Sequence, residues 1–500
     1  MLNRRLLRAN VLLLALLCSG CGDDTPIAPS EADAGGNGSS SDYSPPPELA
    51  ALVDQQALLD RSTLDIVVDE TRSGLVPGDF DNPVWRIGVS FFAHRTLAND
   101  WSHDAVLVLP ETLPAGVTTA AIVQGWTENE VSGVSDSVNF LPQYAAVTAE
   151  RLNMPVLLLD EVPPPLDLTL DATLTEYQPV LTECFSGPVA EPMLFESCLR
   201  ELSQRSERPE IYPELLLAIS YIRAVTLLEE LAEQLPTFTL DFQVPRFDVE
   251  QVAVLASGVP GISLRYAMAL DSRIVGVMAA SADIGDFRGF HAEQQTAWQN
   301  DYAFGEPTTE LSFWGSAASA DFIGAFEISS WSSYLADRSY VMAVGTNDPF
   351  FPLGTFETYQ AVIPTDHNIL YVANYEEGMG SSDHLNAWRG FLAHLFHARP
   401  WTDISTAFED DGGNIEVTAT VSGSTVIQTV ELWYVQRHEL LDDTDFRDAV
   451  WQSTAMQNQG VGTYTAGFAN ALDNAAFFVR VFDSQGIYEG SQTSSMTQLP

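Results

Sequence analysis

The most informative residues of this chain lie in one stretch that has the outline of a catalytic turn but lacks its reactive side chain. Within Gln251–Asp271, the apolar, β-prone run Val252–Leu255 is followed by small residues and then by an amphipathic segment. A strand, a tight turn and a helix are the setting of the Gly-x-Ser-x-Gly nucleophile elbow, whose tip serine is held in a strained conformation. With Ala256 two positions before the tip and Gly261 just beyond the turn, the tip falls on Gly258. Glycine has no side chain that could attack a substrate.

An acid and a histidine follow the elbow in the order expected of an α/β-hydrolase, which is nucleophile, acid, histidine. Asp348 comes directly after the apolar run Tyr340–Val344, and His384 stands at the start of the amphipathic stretch Ser382–His397. Both positions lie at the carboxyl ends of predicted parallel strands, where sites in such sheets form. Two alternatives stay open: Asp348 could serve only a turn, and Asp383 could be the N-cap of the closing helix.

Backbone groups near the elbow are candidates for an oxyanion hole. The N–H of Val259 follows the tip, and the N–H groups of Gly125 and Trp126 follow an early buried strand. Such donors stabilise the negative charge that develops on a carbonyl oxygen. Because they belong to the backbone, a carbonyl- or anion-binding pocket can persist without the serine.

Ser257 is the alternative nucleophile, one residue before the tip. Leu255 and Val259 would then occupy the two positions that should be small, so the tight turn would be crowded. Ser263 and Ser281 are predicted to be structural. A further route has His384 and Asp348 activate water directly.

The elements that position these residues alternate between strands and helices from Asn82 to Pro400, which indicates a mostly parallel α/β sheet. The insertion at about 161–209 is predicted to form a cap, Glu210–Gln234 a helix packed on the sheet, and the aromatic-rich Phe290–Trp314 a roof over the strand ends. After Pro400 an antiparallel β-sandwich is predicted. The predicted strands of the sheet are Val84–Phe92, Ala105–Leu109, Thr119–Val123, Pro155–Leu159, Val252–Leu255, Ile274–Ala279, Tyr340–Val344 and Asn368–Val372.

The amino-terminal segment is typical of a bacterial lipoprotein. A basic start and a short apolar run precede Cys21, and the small residues before this cysteine favour cleavage there and acylation of its side chain. An ordinary signal peptide is the alternative. The predicted organisation is a signal peptide at 1–21, a flexible tether at 22–48, an α/β-hydrolase-like domain at 49–402 and the β-sandwich at 403–500.

Charge and cysteine content exclude several function classes. All 22 basic residues are arginine, so Schiff-base chemistry on lysine is impossible. A formal net charge of −46 makes nucleic acid a poor partner. Cys184 and Cys198 are predicted to pair in the oxidising compartment of an exported protein, which would stabilise it by roughly 3 kcal/mol. The pattern predicts no cofactor and no metal, since His394 and His397 share a helix face without a third ligand.

Several stretches, taken in order, resemble the PhoPQ-activated pathogenicity-related protein family, a group of exported α/β-hydrolase-like proteins. The family motif Gly-Ala-Ser-Lys-Arg-Gly falls on residues 256–261, with its serine at Gly258, and Asp348 and His384 match the acid and histidine positions. The resemblance covers Val84 to the end and is carried by Leu152–Leu166, Arg208–Glu230, the elbow region to Val275, Asn347–Phe351, Val430–Trp433, Asp445–Asp448 and Trp451.

The favoured hypothesis is a catalytically degenerate hydrolase-fold lipoprotein that binds a small molecule or peptide in a capped pocket. It would be anchored at the bacterial envelope, on the outer membrane or periplasmic face, or else be secreted, with the lipid anchor as its sole membrane contact. The alternative is an active hydrolase of ester or peptide bonds that uses Ser257 with His384 and Asp348. A purely structural surface protein is the third hypothesis.

Overall fold

Strands and helices alternate around one large mixed sheet. The computed structural model describes residues 43–78, 82–96, 99–125, 141–160, 203, 209–235, 243–282, 285–298, 307–354, 366–423, 426–437, 445–469, 474–484 and 491–499. Residues Tyr43–Pro500 form one compact unit. The predicted signal peptide, most of the tether, Cys21, Cys184, Cys198 and most of the predicted cap lie outside the described residues.

The central part of the sheet has the strand order β1-β2-β3-β5-β4-β6-β7-β8-β9. Neighbours from β5 to β9 are parallel, whereas β1, β2 and β3 pair antiparallel at one side. This order, with an antiparallel start and a parallel remainder, is that of an α/β-hydrolase-like fold, as predicted. The strands are β1 Val67–Val76, β2 Val84–Thr96, β3 Asn99–Pro110, β4 Thr119–Gln124, β5 Val156–Leu159, β6 Gln251–Ser257, β7 Ile274–Ala280, β8 Ser339–Gly345 and β9 Asp366–Val372.

Helices cover both faces of this sheet, which explains why its strands are almost wholly apolar. In β6, Val252, Val254 and Ala256 belong to the core shared with α4 and α5, whereas Ala253 and Leu255 belong to the core shared with α3 and α9. The helices are α1 Pro47–Ala50, α2 Gln55–Leu59, α3 Leu141–Leu152, α4 Pro213–Gln234, α5 Gly258–Leu270, α6 Phe287–Trp298, α7 Pro307–Trp314, α8 Ala320–Phe326 and α9 Ser382–His397.

Helix α4 is buried on more sides than its periodic sequence predicts. The N-terminal segment packs over its outer side, where Arg223 donates hydrogen bonds to the carbonyl oxygens of Ala57, Leu58 and Asp60 at 3.0, 3.1 and 2.8 Å. These carbonyl partners compensate a guanidinium whose side chain is almost fully buried. The N-terminal segment, residues 43–64, therefore packs into the main core, to which it contributes Leu49, Leu58 and Leu64. None of the helices among the described residues is long and apolar enough to cross a membrane.

The region after Pro400 consists of antiparallel strands, as predicted. One sheet has the order β10-β11-β15-β14, and the strands β17, β16, β12 and β13 extend the central sheet, because Ser494 of β17 pairs with Ile369 of β9. The two layers share their own apolar core. The strands are β10 Asp403–Asp410, β11 Asn414–Ser422, β12 Ile427–Arg437, β13 Gln452–Ala455, β14 Gln457–Gly460, β15 Thr463–Ala469, β16 Asn474–Asp483 and β17 Ser491–Leu499.

Candidate functional site

The turn between β6 and α5 has the backbone geometry of a nucleophile elbow. Ser257 ends the strand in an extended conformation, with φ −128° and ψ 160°. Gly258 follows with φ +63°, in the left-handed region that side-chain-bearing residues adopt only at a cost. A Cβ atom built on Gly258 would meet no described atom within 4 Å. The strained position of the elbow is therefore present, and it is occupied by glycine.

Close packing holds this turn in place. A Cβ atom on Gly261 would lie 2.7 Å from the Cβ of Ala282 and 3.1 Å from the carbonyl oxygen of Ala256, so only glycine allows the helix this close to the strands. On the other side, the Ser257 N–H donates to Gln124 Oε1 at 2.8 Å. Gln124, at the end of β4, is buried, and a role for its side chain in the site was not predicted. Its signal in the sequence is a polar residue that closes an apolar strand.

Ser257 itself lies on the strand and not at the tip. Its side chain is buried, and Leu255, two residues before it, is fully buried in the core. The left-handed residue that aims a nucleophile away from the sheet is the next one along the chain, Gly258. The use of Ser257 as a nucleophile stays a prediction.

Asp348 lies in the loop after β8 and is almost completely buried. Its Oδ1 accepts hydrogen bonds from the N–H groups of Phe350 and Phe351 at 2.8 and 3.0 Å. Its Oδ2 has no hydrogen-bond partner within the described part of the chain. Burial raises the pKa of Asp348 to about 7, against the opposing effect of those two N–H groups and of the nearby Ser281 hydroxyl. The carboxyl can therefore give or take a proton near neutral pH.

His384 occupies the first turn of α9 and is fully buried. Neither Nδ1 nor Nε2 has a hydrogen-bond partner among the residues that the structure describes. The imidazole packs edge-on against the ring of Tyr375, with centroids 5.1 Å apart. Burial lowers the pKa of His384 to about 3, so the ring is neutral at physiological pH. The N-cap of this helix is Ser381, whose hydroxyl accepts the Asp383 N–H, and not Asp383.

The loops that carry the acid and the histidine are joined by hydrogen bonds. The Asn347 N–H donates to the Tyr375 carbonyl at 3.0 Å, and the Asn374 N–H donates to Thr346 Oγ1 at 2.9 Å. The Asp348 carboxyl and the His384 ring nevertheless form no hydrogen bond with each other. An assembled triad contains that bond, since it orients the imidazole. The structure thus brings the two loops together without the acid–histidine contact.

Ser281, predicted to be structural, lies beside the acid. It follows β7 with φ +45°, and its hydroxyl accepts the Gly378 N–H at 3.3 Å. Since its hydroxyl also lowers the pKa of Asp348, it links β7, the acid and the loop that leads to His384. A strained, buried serine at the end of a strand leaves no signal in the sequence that separates it from other small residues.

The predicted oxyanion donors differ in their surroundings. The Gly125 N–H donates to the Leu159 carbonyl at 2.6 Å, so this donor is already occupied in the structure. Trp126 lies outside the described residues. Val259 belongs to the first turn of α5, where N–H groups have no partner within the helix. Its role as an oxyanion donor stays a prediction.

Helices α6 and α7, here called the roof, contact the acid loop through α6. Gln294 Nε2 donates to the Phe350 carbonyl at 3.0 Å, and the rings of Phe290 and Phe351 lie 5.8 Å apart. Trp298 and Trp314 are buried in the roof, whereas residues 302 and 304 lie outside the described residues. In the described ranges no group of three or more acidic, histidine or cysteine residues could hold a metal ion.

Comparisons with known proteins return esterases among solved structures. An acetyl xylan esterase from Paenibacillus sp. R4 aligns with 67% of this chain and 91% of its own, at 15% identity and a TM-score of 0.39. A glucuronoyl esterase from Solibacter usitatus aligns with 66% of this chain and 93% of its own, at 13% identity and a TM-score of 0.35. No protein-family model matches the sequence, and a search of curated proteins found no match. The fold assignment rests on the strand order and the elbow of this chain.

Proposed function

We propose that this protein uses a hydrolase-type site to bind a ligand and not to cleave one through a serine nucleophile. The observation that carries the proposal is Gly258, which occupies the left-handed tip of the elbow with φ +63° and brings no reactive group. In serine proteases, removal of the nucleophile slows turnover by about a million-fold. The remaining side chains can orient a substrate, but orientation alone cannot replace the rate that a covalent nucleophile provides.

Binding remains chemically reasonable at this site. Asp348 Oδ2 and both nitrogens of His384 are buried without partners among the described residues. Buried polar atoms are costly unless they form hydrogen bonds, so a ligand with donor and acceptor groups would stabilise this arrangement. The first-turn N–H of Val259 adds a donor for a carbonyl oxygen. A small molecule or a peptide fits this set.

The proposed setting is the bacterial envelope, with the chain anchored through acylated Cys21. The support is the sequence alone: a basic start, a short apolar run and small residues before the cysteine. Membership of the PhoPQ-activated pathogenicity-related family is proposed on the ordered stretches described above. Mass spectrometry of the mature amino terminus tests the anchor, since an unmodified terminus away from Cys21 would contradict it.

The experiment for the binding function combines ligand-induced stabilisation with product analysis. A panel of short esters, sugar esters and peptides is screened for a concentration-dependent rise in the melting temperature of the full chain. We expect ligands that stabilise the protein to be recovered unchanged. Product that accumulates with protein concentration, and that disappears in Ser257→Ala, would support the active-hydrolase alternative instead.

A further inference from the structure

The C-terminal β-region contacts the candidate site at both of its sides. We infer that it positions the acid loop and the histidine helix, and is not an appended, separable module. The acid loop is held by residues 445–451, here called the clasp. The histidine helix is held by Arg480 of β16. This inference does not depend on whether the site binds or turns over its ligand.

The clasp is fastened to the residue next to the acid. Asn347 is buried, and its Nδ2 lies 3.1, 3.0 and 2.7 Å from the carbonyl oxygens of Phe446, Arg447 and Ala449. Since the amide nitrogen carries two hydrogens, at least one of them is shared between two of these oxygens. These three oxygens come from one turn of the clasp, so a single amide fixes its path. Since Asn347 directly precedes Asp348, the clasp fixes the backbone from which the acid side chain projects.

A second asparagine fixes the end of the clasp to the loop after β9. Asn374 Nδ2 donates to the Trp451 carbonyl at 3.0 Å, and the Trp451 N–H donates back to Asn374 Oδ1 at 2.7 Å. The neighbouring residue, Tyr375, is the one whose ring packs against His384. The clasp is itself anchored in the core, because the Trp451 ring lies 5.4 Å from that of Phe478 in β16.

The clasp also reaches the roof. The Arg447 guanidinium forms a two-pronged ion pair with Asp445, at 3.0 and 2.8 Å, and lies 4.7 Å from the ring centroid of Trp298 at the end of α6. Planar guanidinium groups favour this combination of carboxylate pairing and aromatic stacking. The clasp therefore bridges the acid loop and the helix that covers it.

Arg480 makes the equivalent contact at the histidine. Its guanidinium donates to Asp383 Oδ2 at 2.6 Å and to Glu431 Oε2 at 2.7 Å, and it lies 4.9 Å from the ring centroid of Trp433. Asp383 is adjacent to His384 in the first turn of α9. The guanidinium is 14% exposed and its carboxylate partner 22%, so solvent screens this pair less than it screens a surface pair.

These contacts matter because Asp348 lies on a loop and His384 lies in the first turn of a helix, directly after a loop. Loops open more readily than the strands they connect, and a site on loops needs support from rigid elements. Here the support comes from the continuous extension of the central sheet through β9, β17, β16 and β12. Asn347, Asn374 and Arg480 are accordingly positioning residues.

The test uses the full chain with two independent readouts. Hydrogen exchange followed by mass spectrometry is measured on the peptides that span 345–354 and 373–385, in Asn347→Ala and Arg480→Gln. We expect about tenfold faster exchange in the peptide next to each substitution, with β4 and β6 unchanged. The second readout is the titration of the His384 imidazole in histidine-labelled protein, assigned with His384→Gln. We expect Arg480→Gln to move its pKa upward toward 6.5, because a loosened helix start admits water.

Matched controls come from the same chain. Asn458→Ala removes an asparagine whose Oδ1 accepts a hydrogen bond within its own hairpin, and Arg95→Gln breaks an ion pair at the exposed end of β2 and β3. Where Arg480→Gln does not fold, Arg480→Lys replaces it, with the same two readouts and smaller shifts. Exchange and titration that match the controls in both clasp and Arg480 variants would overturn the inference.

Discussion

The two sides of the candidate site differ in what they retain. At the elbow, the backbone is that of a hydrolase, with Gly258 in the left-handed region and Gly261 packed tightly against Ala282, but the reactive group is absent. At the other side, the polar groups are present, but Asp348 and His384 do not bond to each other. The elbow therefore keeps the backbone geometry without a reactive side chain, whereas the other side keeps the two polar side chains without the hydrogen bond between them.

The two sides also differ in what stabilises them. The elbow is held by packing and by the Gln124–Ser257 hydrogen bond, which need no nucleophile. The buried Asp348 Oδ2 and the two His384 ring nitrogens have no hydrogen-bond partner in the part of the chain that the structure describes, and buried polar groups without partners cost free energy. Under the proposed binding function, a ligand would supply partners for these atoms.

The largest expected effect comes from Gly258→Ser, which restores the missing hydroxyl. A Cβ atom at this position meets no described atom within 4 Å, so the main cost of the substitution is that of a left-handed serine. We expect a fluorophosphonate probe to label residue 258. The effect can be large, because removal of the nucleophile slows serine proteases by about a million-fold. The labelled residue is identified by peptide mass spectrometry.

A double variant controls this result. Gly258→Ser combined with His384→Gln should lose the labelling, because the histidine would be the base. A folded Gly258→Ser protein that never labels would show that Asp348 and His384 cannot support a nucleophile, and that the site lacks more than the hydroxyl at the elbow.

The pH dependence of stability comes next in size. The pKa values of His384 and His94 are lowered to about 3 by burial, so each destabilises the fold as pH falls below 6.5. The pKa of Asp348 is raised to about 7, so its contribution has the opposite sign: it is present at low pH and is lost as pH rises from 3.8 through 7. Each group changes the unfolding free energy by about 1.4 kcal/mol per pH unit in its window.

Urea unfolding between pH 6.5 and 4.5 separates these contributions. On acidification, the unfolding free energy of His384→Gln should fall by about 1.4 kcal/mol per pH unit less than that of the wild type. That of Asp348→Asn should fall by about the same amount more. His94 remains in all three proteins and serves as an internal reference. Equal slopes in the three proteins would contradict the burial of the two site residues.

Two glycine substitutions compare the sides directly. A Cβ atom on Gly345 would lie 2.2 Å from the Tyr375 carbonyl oxygen and 2.3 Å from that of Glu376, so Gly345→Ala should cost about 3 kcal/mol by forcing the two loops apart. A Cβ atom on Gly258 meets no described atom within 4 Å, so Gly258→Ala should cost only about 1 kcal/mol, for the left-handed backbone. Chemical denaturation measures both. If Gly258→Ala loses more unfolding free energy than Gly345→Ala, a side chain at residue 258 must meet neighbouring atoms, which would contradict the account.

The sequence predicted the parts of the fold that depend on local pattern. The strands of the parallel sheet and helix α9 follow from apolar runs and amphipathic periodicity, and Ser382–His397 agrees with the observed helix at both ends. Strand β1 was not predicted, because its apolar residues are interrupted by the polar stretch at 69–73 and its pairing with β2 is irregular. Such strands form because they pair with distant parts of the chain, and a local sequence pattern does not reveal that pairing.

The roles of the candidate site residues stay predictions, whereas their positions and contacts are described by the structure. Chain order pointed to Gly258, Asp348 and His384, since the order of roles along a hydrolase chain is fixed. The roles of Gln124, Asn347 and Arg480 depend on partners far away in the chain, such as Gln124 with Ser257 and Arg480 with Asp383. Whether the acid touches the histidine is a matter of side-chain geometry, which spacing does not determine.

The most direct test of the central claim is the intact mass of the wild-type protein after prolonged exposure to a fluorophosphonate probe at neutral pH. The expected result is an unchanged mass, since the residue at the tip has no hydroxyl. A mass increase by one probe, located on Ser257 and absent from Ser257→Ala, would show that a serine reacts there and would contradict the account.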